Sequence, residues 1–317
     1  MKLKSLTASL LATAASFGMT LTAQAQETGS VSLVLGVSGS PFYQALQCGA
    51  MARAEELGLE LTVSAGSQFA ADSQIPVVNA VTAAGPDVAA IVPTDMQALI
   101  QPMRELAERG SKVITIDQTI ADNSFIETEV LTDNEAGGRL AADVMAEILG
   151  GEGKVLVITQ PPGSLAQDAR TTGFEEQIAT YEGVDYIGAQ YQSDDPQKAA
   201  EIVTSTLSAH PDLAGIFSTN DQGAIGAITG LRQAGAVGRV KMVAYDAATA
   251  EVAALKNGAI QALIAQNPAQ EGAVAMDAAL TLINGGTLEK TTMTELVVIR
   301  EDQHDLADQY EYIANCM

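Results

Sequence analysis

A strand, a short polar loop and a helix follow one another between residues 30 and 58, and few folds accommodate them in this form. Residues 31–37 are an almost unbroken apolar run, which is typical of a strand covered by helices on both faces. Pro41 suits the first turn of a helix because that position needs no backbone N–H, and helical spacing of apolar residues continues to Gly58. The stretch predicts one βα unit of a parallel sheet.

The alternation of strand and helix continues as far as residue 300. The predicted strands cover residues 31–37, 59–65, 88–92, 113–117, 125–131, 155–159, 186–191, 215–218, 241–246, 259–266 and 295–300. Segments with helical periodicity lie between most of them. Alternation on this scale is typical of α/β folds with parallel sheets.

The chain also contains an internal repeat. Residues 86–95 align with residues 211–220, and each copy precedes a helix and a strand that ends in an acidic residue, Asp117 or Asp246. A repeat of this kind predicts two similar lobes. If the lobes face each other, both aspartates point into one cleft, because open α/β sheets bind ligands at the carboxyl ends of their strands. The alternative is that each aspartate only caps the helix after it.

Phe42 and Tyr43 lie at the carboxyl end of the first predicted strand. Aromatic residues make up only 4% of the chain and tryptophan is absent, so a pair at this edge of a sheet is informative. One interpretation is that the pair contacts a ligand. The other is that both rings belong to the core at the start of a helix.

The chain begins with the features of a secretory signal peptide, which we predict over residues 1–25. Two lysines precede an apolar run, and Ala23-Gln24-Ala25 has the pattern of a cleavage site. No cysteine for lipid attachment follows the apolar run, so we expect a soluble exported protein whose mature chain begins at Gln26.

The mature chain is strongly acidic. The net charge of −23 becomes −25 when the two lysines of the signal peptide are removed. Such a charge disfavours association with nucleic acid or with anionic membranes, because both carry the same sign. No later stretch of the sequence is apolar for long enough to cross a bilayer.

The sequence has two cysteines, Cys48 and Cys316, and export permits a disulfide between them. The bond would tie the C-terminal end of the chain to the first predicted helix and contribute about 2–4 kcal/mol to stability. The alternative is a buried free thiol at Cys48 and an unattached one at Cys316.

Short motifs occur in a characteristic order along the mature chain. They are Ser40-Pro41-Phe42-Tyr43, Ile91-Val92-Pro93-Thr94-Asp95, Ile114-Thr115-Ile116-Asp117, Thr132-Asp133-Asn134-Glu135-Ala136-Gly137-Gly138, Arg170-Thr171-Thr172-Gly173-Phe174, Ala209-His210-Pro211-Asp212, Ser218-Thr219-Asn220-Asp221, Tyr245-Asp246 and Ile264-Ala265-Gln266-Asn267-Pro268. Each motif alone is weakly specific. In this order and at these spacings, the chain resembles the type I periplasmic sugar-binding proteins of bacterial ABC transporters, above all the ribose-binding branch.

The resemblance implies two similar doubly wound parallel-sheet lobes joined by a three-stranded hinge. The expected parts are an N-terminal lobe at residues 30–132 and 267–294, a C-terminal lobe at residues 133–266 and 295–301, and a C-terminal tail at residues 302–317. The hinge would lie near Thr132, Gln266 and Thr294. The implied protein is a periplasmic monomer that captures a small sugar or polyol and delivers it to the membrane permease of an ABC transporter.

The resemblance also identifies candidate ligand-binding residues. Phe42 and Tyr43 match positions that hold the sugar ring, since aromatic faces cover the apolar C–H faces of a sugar. The candidates for contact with its hydroxyl groups are Ser40, Asp117, Gln118, Arg170, Asn220, Asp246 and Gln266. Carboxylates accept from hydroxyls and arginine donates to oxygens, and such charge-assisted bonds contribute about 1.5–3 kcal/mol each in a dry site.

Five positions depart from the ribose-binding pattern. Ser40 and Val92 each replace an asparagine, and Gln118 replaces a second arginine. Asp194 lies near the position of a second-lobe aromatic residue, although it also fits a helix N-cap, and Pro161 replaces an aliphatic residue. We therefore expect a pentose other than ribose, a hexose or a sugar alcohol, with an amino-bearing or cationic ligand as the alternative.

Two other functions remain as alternatives. An exported enzyme would need a nucleophile with a base, or an acid–base pair, and only Asp117 and Asp246 are candidates, so we expect no catalysis. A ligand-binding module for a chemoreceptor or sensor kinase would have the same sequence features as a transport protein. His210 and His304 are far apart and lack Cys or acidic partners at metal-ligand spacing, so we predict neither a metal nor a cofactor.

Overall fold

The computed structural model of the protein describes residues 29–312 and Cys316. The predicted signal peptide lies outside these residues. Among the described helices, none combines the length and the apolarity needed to cross a membrane. The apolar runs found in the sequence form buried strands, as at Val31, Leu33 and Val34, which are at most 1% exposed.

The described residues form twelve strands and ten helices. The strands are β1 (Ser30–Leu35), β2 (Glu60–Ala65), β3 (Val88–Ile91), β4 (Lys112–Ile116), β5 (Thr128–Thr132), β6 (Glu152–Thr159), β7 (Gly183–Tyr191), β8 (Leu213–Ser218), β9 (Lys241–Tyr245), β10 (Ala262–Ala265), β11 (Thr291–Thr294) and β12 (Val297–Arg300). The helices are α1 (Pro41–Leu57), α2 (Ala71–Ala84), α3 (Ile100–Glu108), α4 (Asn134–Leu149), α5 (Leu165–Ile178), α6 (Pro196–Ala209), α7 (Asp221–Gln233), α8 (Thr249–Lys256), α9 (Pro268–Ile283) and α10 (His304–Tyr310).

The strands form two six-stranded sheets with the same strand order. The first sheet has the order β11-β5-β4-β3-β1-β2, and the second has the order β12-β10-β9-β8-β6-β7. The repeated segments of the sequence occupy equivalent places, because β3 and β4 correspond to β8 and β9. The prediction of two similar α/β lobes is therefore confirmed. We refer to the lobes built on the first and second sheets as the first and second lobes.

The C-terminal part of the chain differs from the prediction in three ways. The strand predicted over residues 295–300 is shorter, since β12 covers only Val297–Arg300, and a strand that was not predicted, β11, precedes it in the other sheet. Strand β12 pairs antiparallel with β10, so the second sheet is not wholly parallel. The predicted tail contains helix α10. Strand β11 has no apolar alternation, since its residues are Thr-Thr-Met-Thr, and periodicity could not reveal it.

The chain passes between the two sheets after β5, after β10 and after β11. The hydroxyls of Thr132 and Thr294, at the ends of β5 and β11, donate hydrogen bonds to Glu271 Oε1 at 2.8 and 3.2 Å. The carboxyl group of Glu271, whose pKa is raised by burial, therefore links these two crossings. The exact residues at which each lobe begins and ends remain a prediction.

Glycines allow one pair of helices in the second lobe to approach closely. A Cβ atom at Gly138 of α4 would lie 2.1 Å from the carbonyl oxygen of Arg170 in α5, and one at Gly173 of α5 would lie 2.1 Å from the carbonyl oxygen of Glu135. The first lobe uses the same device between α1 and α9. The contact at Gly138 fixes the part of α5 that carries Arg170.

Replacing Gly138 with alanine should destabilise the protein by about 1–3 kcal/mol, because the added methyl group meets backbone and helix α5 must shift. Chemical denaturation of the ligand-free protein measures this change. Gly150→Ala is the control, because its Cβ would meet nothing within 4 Å and only the backbone φ of +70° is unfavourable. A smaller loss of stability at Gly138 than at Gly150 would contradict the close-packing argument.

Candidate ligand-binding cleft

A cavity lies between the lobes at the carboxyl ends of their parallel strands. Its space, including the opening to solvent, is about 370 Å³. Ten of the residues predicted from the sequence line it, namely Ser40, Phe42, Tyr43, Asp117, Gln118, Arg170, Asp194, Asn220, Asp246 and Gln266. The structure therefore brings the main candidates of both lobes into one place.

Two of the possible site residues lie elsewhere. Val92 is fully buried in the core of the first lobe, and its carbonyl oxygen accepts a hydrogen bond from Gln74 Nε2 at 2.6 Å. Pro161 lies in a neighbouring depression between the lobes, together with Thr94 and Asp95. Neither side chain is part of the cavity lining.

Three aspartates of the cavity have a left-handed backbone conformation. The angle φ is +62° at Asp117, +88° at Asp246 and +59° at Asp194, and Ser193 is the remaining non-glycine example among the described residues. Such conformations cost about 1–3 kcal/mol each and cluster at functional sites. Asp117 and Asp246 directly follow β4 and β9, so the same turn directs a carboxylate into the cavity from each lobe.

Protein groups orient the carboxylate of Asp246. Oδ1 accepts hydrogen bonds from Gln266 Nε2 at 2.6 Å and from the Tyr312 hydroxyl at 2.9 Å, and Oδ2 accepts from the backbone N–H of Asp221 at 3.0 Å. Burial, with a contribution from the charge of Asp246, raises the pKa of Asp221 to about 8. The network holds the Asp246 side chain in one orientation. Asp246 does not cap helix α8, whose N-cap residue is Ala248.

Gln266 has a buried acceptor without a partner. Its side chain is 1% exposed and lines the cavity, and its Oε1 accepts no hydrogen bond from the described residues. A buried unsatisfied acceptor costs about 1–3 kcal/mol. A hydroxyl or amino group of a ligand would remove that cost.

Asp117 is paired with an aromatic residue of its own lobe. The Tyr43 hydroxyl donates a hydrogen bond to Asp117 Oδ2 at 3.1 Å, and both groups are buried. Burial raises the pKa of Asp117 to about 6, although the positive charge of Arg170 opposes the increase. No described residue donates to Asp117 Oδ1, which leaves this oxygen for a ligand.

Arg170 is the arginine of the cavity lining and is only 2% exposed. Its Nε donates to Asn134 Oδ1 at 2.7 Å and its Nη1 donates to the carbonyl oxygen of Thr219 at 2.8 Å. The guanidinium carbon lies 3.8 Å from the centre of the Tyr245 ring, within range of a cation–π contact. No described residue accepts from Nη2, so a fixed and buried cation offers the two N–H donors of that nitrogen.

Asp194 adds a further carboxylate from the second lobe. Its Oδ1 accepts from Asn220 Nδ2 at 2.9 Å and from Gln160 Nε2 at 3.2 Å. Burial raises the pKa of Asp194 to about 6, and the charge of Asp246 adds to the increase. The N-cap of α6 is the next residue, Asp195, whose side chain accepts from Gln197 and Lys198.

Aromatic rings form the apolar side of the cavity. Phe42 contacts Tyr43 and Tyr312 edge to face, with ring centroids 5.3 and 5.8 Å apart, and Tyr43 stacks on Phe69 at 6.3 Å. Phe42 and Tyr43 are packed in the core and also line the cavity, so their contact with a ligand stays a prediction.

The lobes touch each other across the cleft, which is closed in this structure. The Ser164 hydroxyl of the second lobe donates to Gln118 Oε1 of the first lobe at 2.7 Å. Nearby, the backbone N–H of Met96 donates to the carbonyl oxygen of Gly163 at 3.4 Å. Gln118, which was expected at a ligand-contacting position, therefore also joins the lobes.

The family assignment follows from comparison with known proteins. A family model described as a periplasmic binding protein domain matches residues 31–287. The chain belongs to the periplasmic binding protein family. This confirms the resemblance found in the sequence.

Several relatives of this periplasmic binding protein have been named or solved. The ribose import binding protein of Salmonella typhimurium is 28% identical over 289 residues, which cover 91% of this chain and 96% of that protein. A solute-binding protein of an ABC transporter from Agrobacterium vitis, solved with alpha-D-tagatopyranose, is 31% identical with a TM-score of 0.88, covering 90% of this chain and 99% of that one. A carbohydrate transporter solute-binding protein from Agrobacterium radiobacter, solved with D-arabinose, is 26% identical with a TM-score of 0.85, covering 90% of this chain and 99% of that one. These relatives are binding proteins rather than enzymes.

The cleft of this periplasmic binding protein also contains residues that sequence analysis missed. They are Phe69, Gln160, Gln167 and Asp221 in the lining, and Tyr312 behind Asp246. Gln160 directly follows β6, so the rule that identified Asp117 could have identified it as well. No sequence signal indicated Tyr312, which is 66 residues away from its partner Asp246.

Proposed function

We propose that the protein captures a sugar or sugar alcohol between its lobes and delivers it to the membrane permease of an ABC transporter. The observation that carries the proposal is one closed cavity in which Asp117, Asp246 and Arg170 lie beside an aromatic cluster. A sugar matches this lining, because its hydroxyls both donate and accept and its C–H faces pack on rings. The names of the relatives, which include ribose and allose binding, support the same class of ligand.

The ligand we expect is not ribose. Gln118 occupies the position of a second arginine and bonds to Ser164, and Asp194 contributes a carboxylate where a ring was expected. The cavity is thus richer in acceptors than the ribose-binding pattern. A ligand with more donors, such as a hexose, a sugar alcohol or an amino sugar, would match it better, and a different pentose would have to differ in the placement of its hydroxyls.

The mechanism is closure of the cleft around the ligand. A ligand that contacts Asp117 in one lobe and Arg170 in the other stabilises the closed form by its greater affinity for that form. The closed protein then presents both lobes to the permease. The mature chain acts as a monomer in the periplasm and does not bind nucleic acid, in keeping with its acidic composition.

A thermal-shift screen tests this function. The compounds are D-ribose, D-allose, D-tagatose, D-arabinose, D-fucose, their sugar alcohols and amino sugars. A ligand present at about a hundred times its dissociation constant should stabilise the folded protein by about 2.7 kcal/mol and raise its melting temperature by several degrees. If no compound raised the melting temperature at millimolar concentration, the proposal would be wrong.

Small-angle scattering tests the closure. The radius of gyration should fall when a binding sugar is added, because the lobes rotate toward each other. A sugar that does not shift the melting temperature serves as the control and should leave the radius unchanged. Binding without compaction would contradict the closure mechanism while leaving sugar binding intact.

Affinity should decrease as the pH falls below about 6. Asp117 and Asp194 have pKa values raised to about 6 by burial, and sugar hydroxyls donate best to their charged forms. Each carboxyl group that must lose a proton before binding reduces affinity up to about tenfold between pH 6 and pH 5. Titration calorimetry at pH 5, 6 and 7.5 measures this, and Asp194→Asn should flatten the profile.

Stability of the ligand-free protein should change in the opposite direction. A carboxyl group with a raised pKa binds its proton more tightly in the folded than in the unfolded chain, where the value is about 4. Asp117 and Asp194 therefore make contributions that are full at low pH and decline as the pH rises from about 4 to about 6. In the calorimetric titrations at pH 5, 6 and 7.5, a sugar affinity that rose on acidification would contradict the role given to these carboxylates.

A further inference from the structure

The C-terminal segment belongs to the second lobe as far as Tyr312. Helix α10 packs on α8, and Lys256 of α8 forms an ion pair with Asp308 of α10. The backbone N–H of Tyr312 donates to the carbonyl oxygen of Ala247 at 3.0 Å. Ala247 directly follows Asp246, so the segment reaches the cleft at one of its carboxylates.

The side chain of Tyr312 contacts both lobes at the cleft. It is 4% exposed, and its hydroxyl donates to Asp246 Oδ1 of the second lobe at 2.9 Å. Its ring lies edge to face against Phe42 of the first lobe, with centroids 5.8 Å apart. One residue therefore contacts both an acceptor and an aromatic wall of the cavity.

A disulfide attaches the end of the segment to the first lobe. Cys316 is bonded to Cys48, which lies on α1, the helix that carries Phe42. Cys316 is four residues after Tyr312 in the sequence, so the Cα atoms of the two residues can be at most about 14 Å apart. The disulfide thus limits how far Tyr312 can move from α1 and adds a covalent link between the lobes to the three crossings of the hinge.

We infer that Tyr312 and the disulfide-bonded Cys316 together act as a strap across the lobes, in which Tyr312 is a positioning residue for Asp246 and Phe42 and the Cys48–Cys316 disulfide keeps it in place. The inference rests on the proposed sugar-binding function. A freed strap would let Tyr312 leave its buried position, and Asp246 would lose one of its three donors. The orientation of the carboxylate would then be less fixed before the ligand arrives, and affinity would fall.

Two variants test the inference with D-tagatose, D-arabinose, D-allose and D-ribose as probes in titration calorimetry. Tyr312→Phe keeps the ring and removes the donor, and it should weaken binding about tenfold. Cys316→Ser should weaken binding by a similar factor. If the disulfide acts through Tyr312, the double variant should lose no more than either single variant, since the two changes remove the same interaction.

Tyr310→Phe is the matched control, because Tyr310 is two residues away and the carboxylate that influences its hydroxyl is Glu295 instead of Asp246. It should bind the probes as tightly as the native protein does. Unchanged affinity in Cys316→Ser, or losses that multiply in the double variant, would overturn the inference. A disulfide that only stabilised the fold would lower the melting temperature without producing this pattern.

A second measurement needs no ligand. With carbon-13 at the Cζ atoms of tyrosine, NMR can follow each hydroxyl, and the signal missing from Tyr312→Phe identifies residue 312. Burial and the nearby Asp246 raise the pKa of Tyr312, so in the native protein this signal should not titrate in the range near 10 where a free tyrosine does. Dithiothreitol, which is oxidised to its cyclic disulfide as it reduces Cys48–Cys316 to two thiols, should bring it into the ordinary range near 10.

The two measurements separate the strap from the function. A Tyr312 signal that ignores dithiothreitol would overturn the strap, whether or not a sugar binds. A signal that responds, in a protein that binds none of the probes, would support the strap and count against the sugar-binding function. The Cys48→Ser/Cys316→Ser variant should show the responsive signal without the reductant and no further change with it.

Discussion

Replacing Arg170 with alanine should weaken sugar binding by at least about a hundredfold. The guanidinium of Arg170 is buried and held by Asn134 and the carbonyl oxygen of Thr219. Arg170 is the arginine that lines the cavity, so its remaining N–H groups can donate to the ligand. A charge-assisted hydrogen bond in such a site contributes about 1.5–3 kcal/mol, and a ligand oxygen left unpaired adds to the loss. Titration calorimetry with a sugar found in the thermal-shift screen measures the effect.

Arg139→Ala is the matched control, because Arg139 lies on α4, is partly exposed and pairs with Glu135 at the surface. It should bind the sugar normally. Arg170→Lys should recover little of the affinity, since the single nitrogen of an ammonium group cannot occupy the separate positions of Nε, Nη1 and Nη2. Native affinity in Arg170→Ala, with the fold intact by circular dichroism, would remove Arg170 from the site.

Replacing Asp246 with alanine should have a large effect on both stability and binding. The change leaves three donors without their acceptor, those of Gln266, Tyr312 and the Asp221 backbone. It also places alanine at a φ of +88°, a conformation that aspartate and asparagine tolerate better. We expect a loss of at least about 3 kcal/mol in the free energy of unfolding, together with loss of detectable sugar binding.

Asp246→Asn separates the two effects. Asparagine tolerates the backbone conformation and keeps one acceptor oxygen, so stability should fall less, while affinity should still fall about tenfold or more because the charge is lost. Asp185→Ala is a surface control in the same lobe, as its side chain is 68% exposed. Equal stability of Asp246→Ala and Asp185→Ala, measured by chemical denaturation, would show that the network around Asp246 is not structurally important.

Local patterns were sufficient to predict the strands and helices near the site. The apolar run before Ser40, and the strands after the two repeat copies that end at Asp117 and Asp246, indicated where parallel strands end. The structure places these three residues on one cavity. This works because a buried parallel strand needs an apolar run, and a polar residue at its end must lie at the edge of the sheet. The rule applied equally to Gln160.

The same reasoning failed where the outcome depended on the path of the chain after the strand. Val92 and Asp117 both follow a strand of the first sheet, yet Val92 enters the core while the turn at Asp117, with φ of +62°, sends its carboxylate into the cavity. A single sequence does not show which strand ends in a left-handed turn. Phe69 was missed for a related reason, since it lies in a loop with no periodic pattern.

The sequence by itself determined the α/β class, the two similar lobes and the acidic and aromatic character of the cleft, because each of these depends on residues that are neighbours along the chain. Only the tertiary structure decided which distant groups meet. It joined Cys48 to Cys316, placed Tyr312 against Asp246 and paired β12 antiparallel with β10. Those contacts depend on how the chain returns after its last crossing, and no local preference of the residues involved encodes that path.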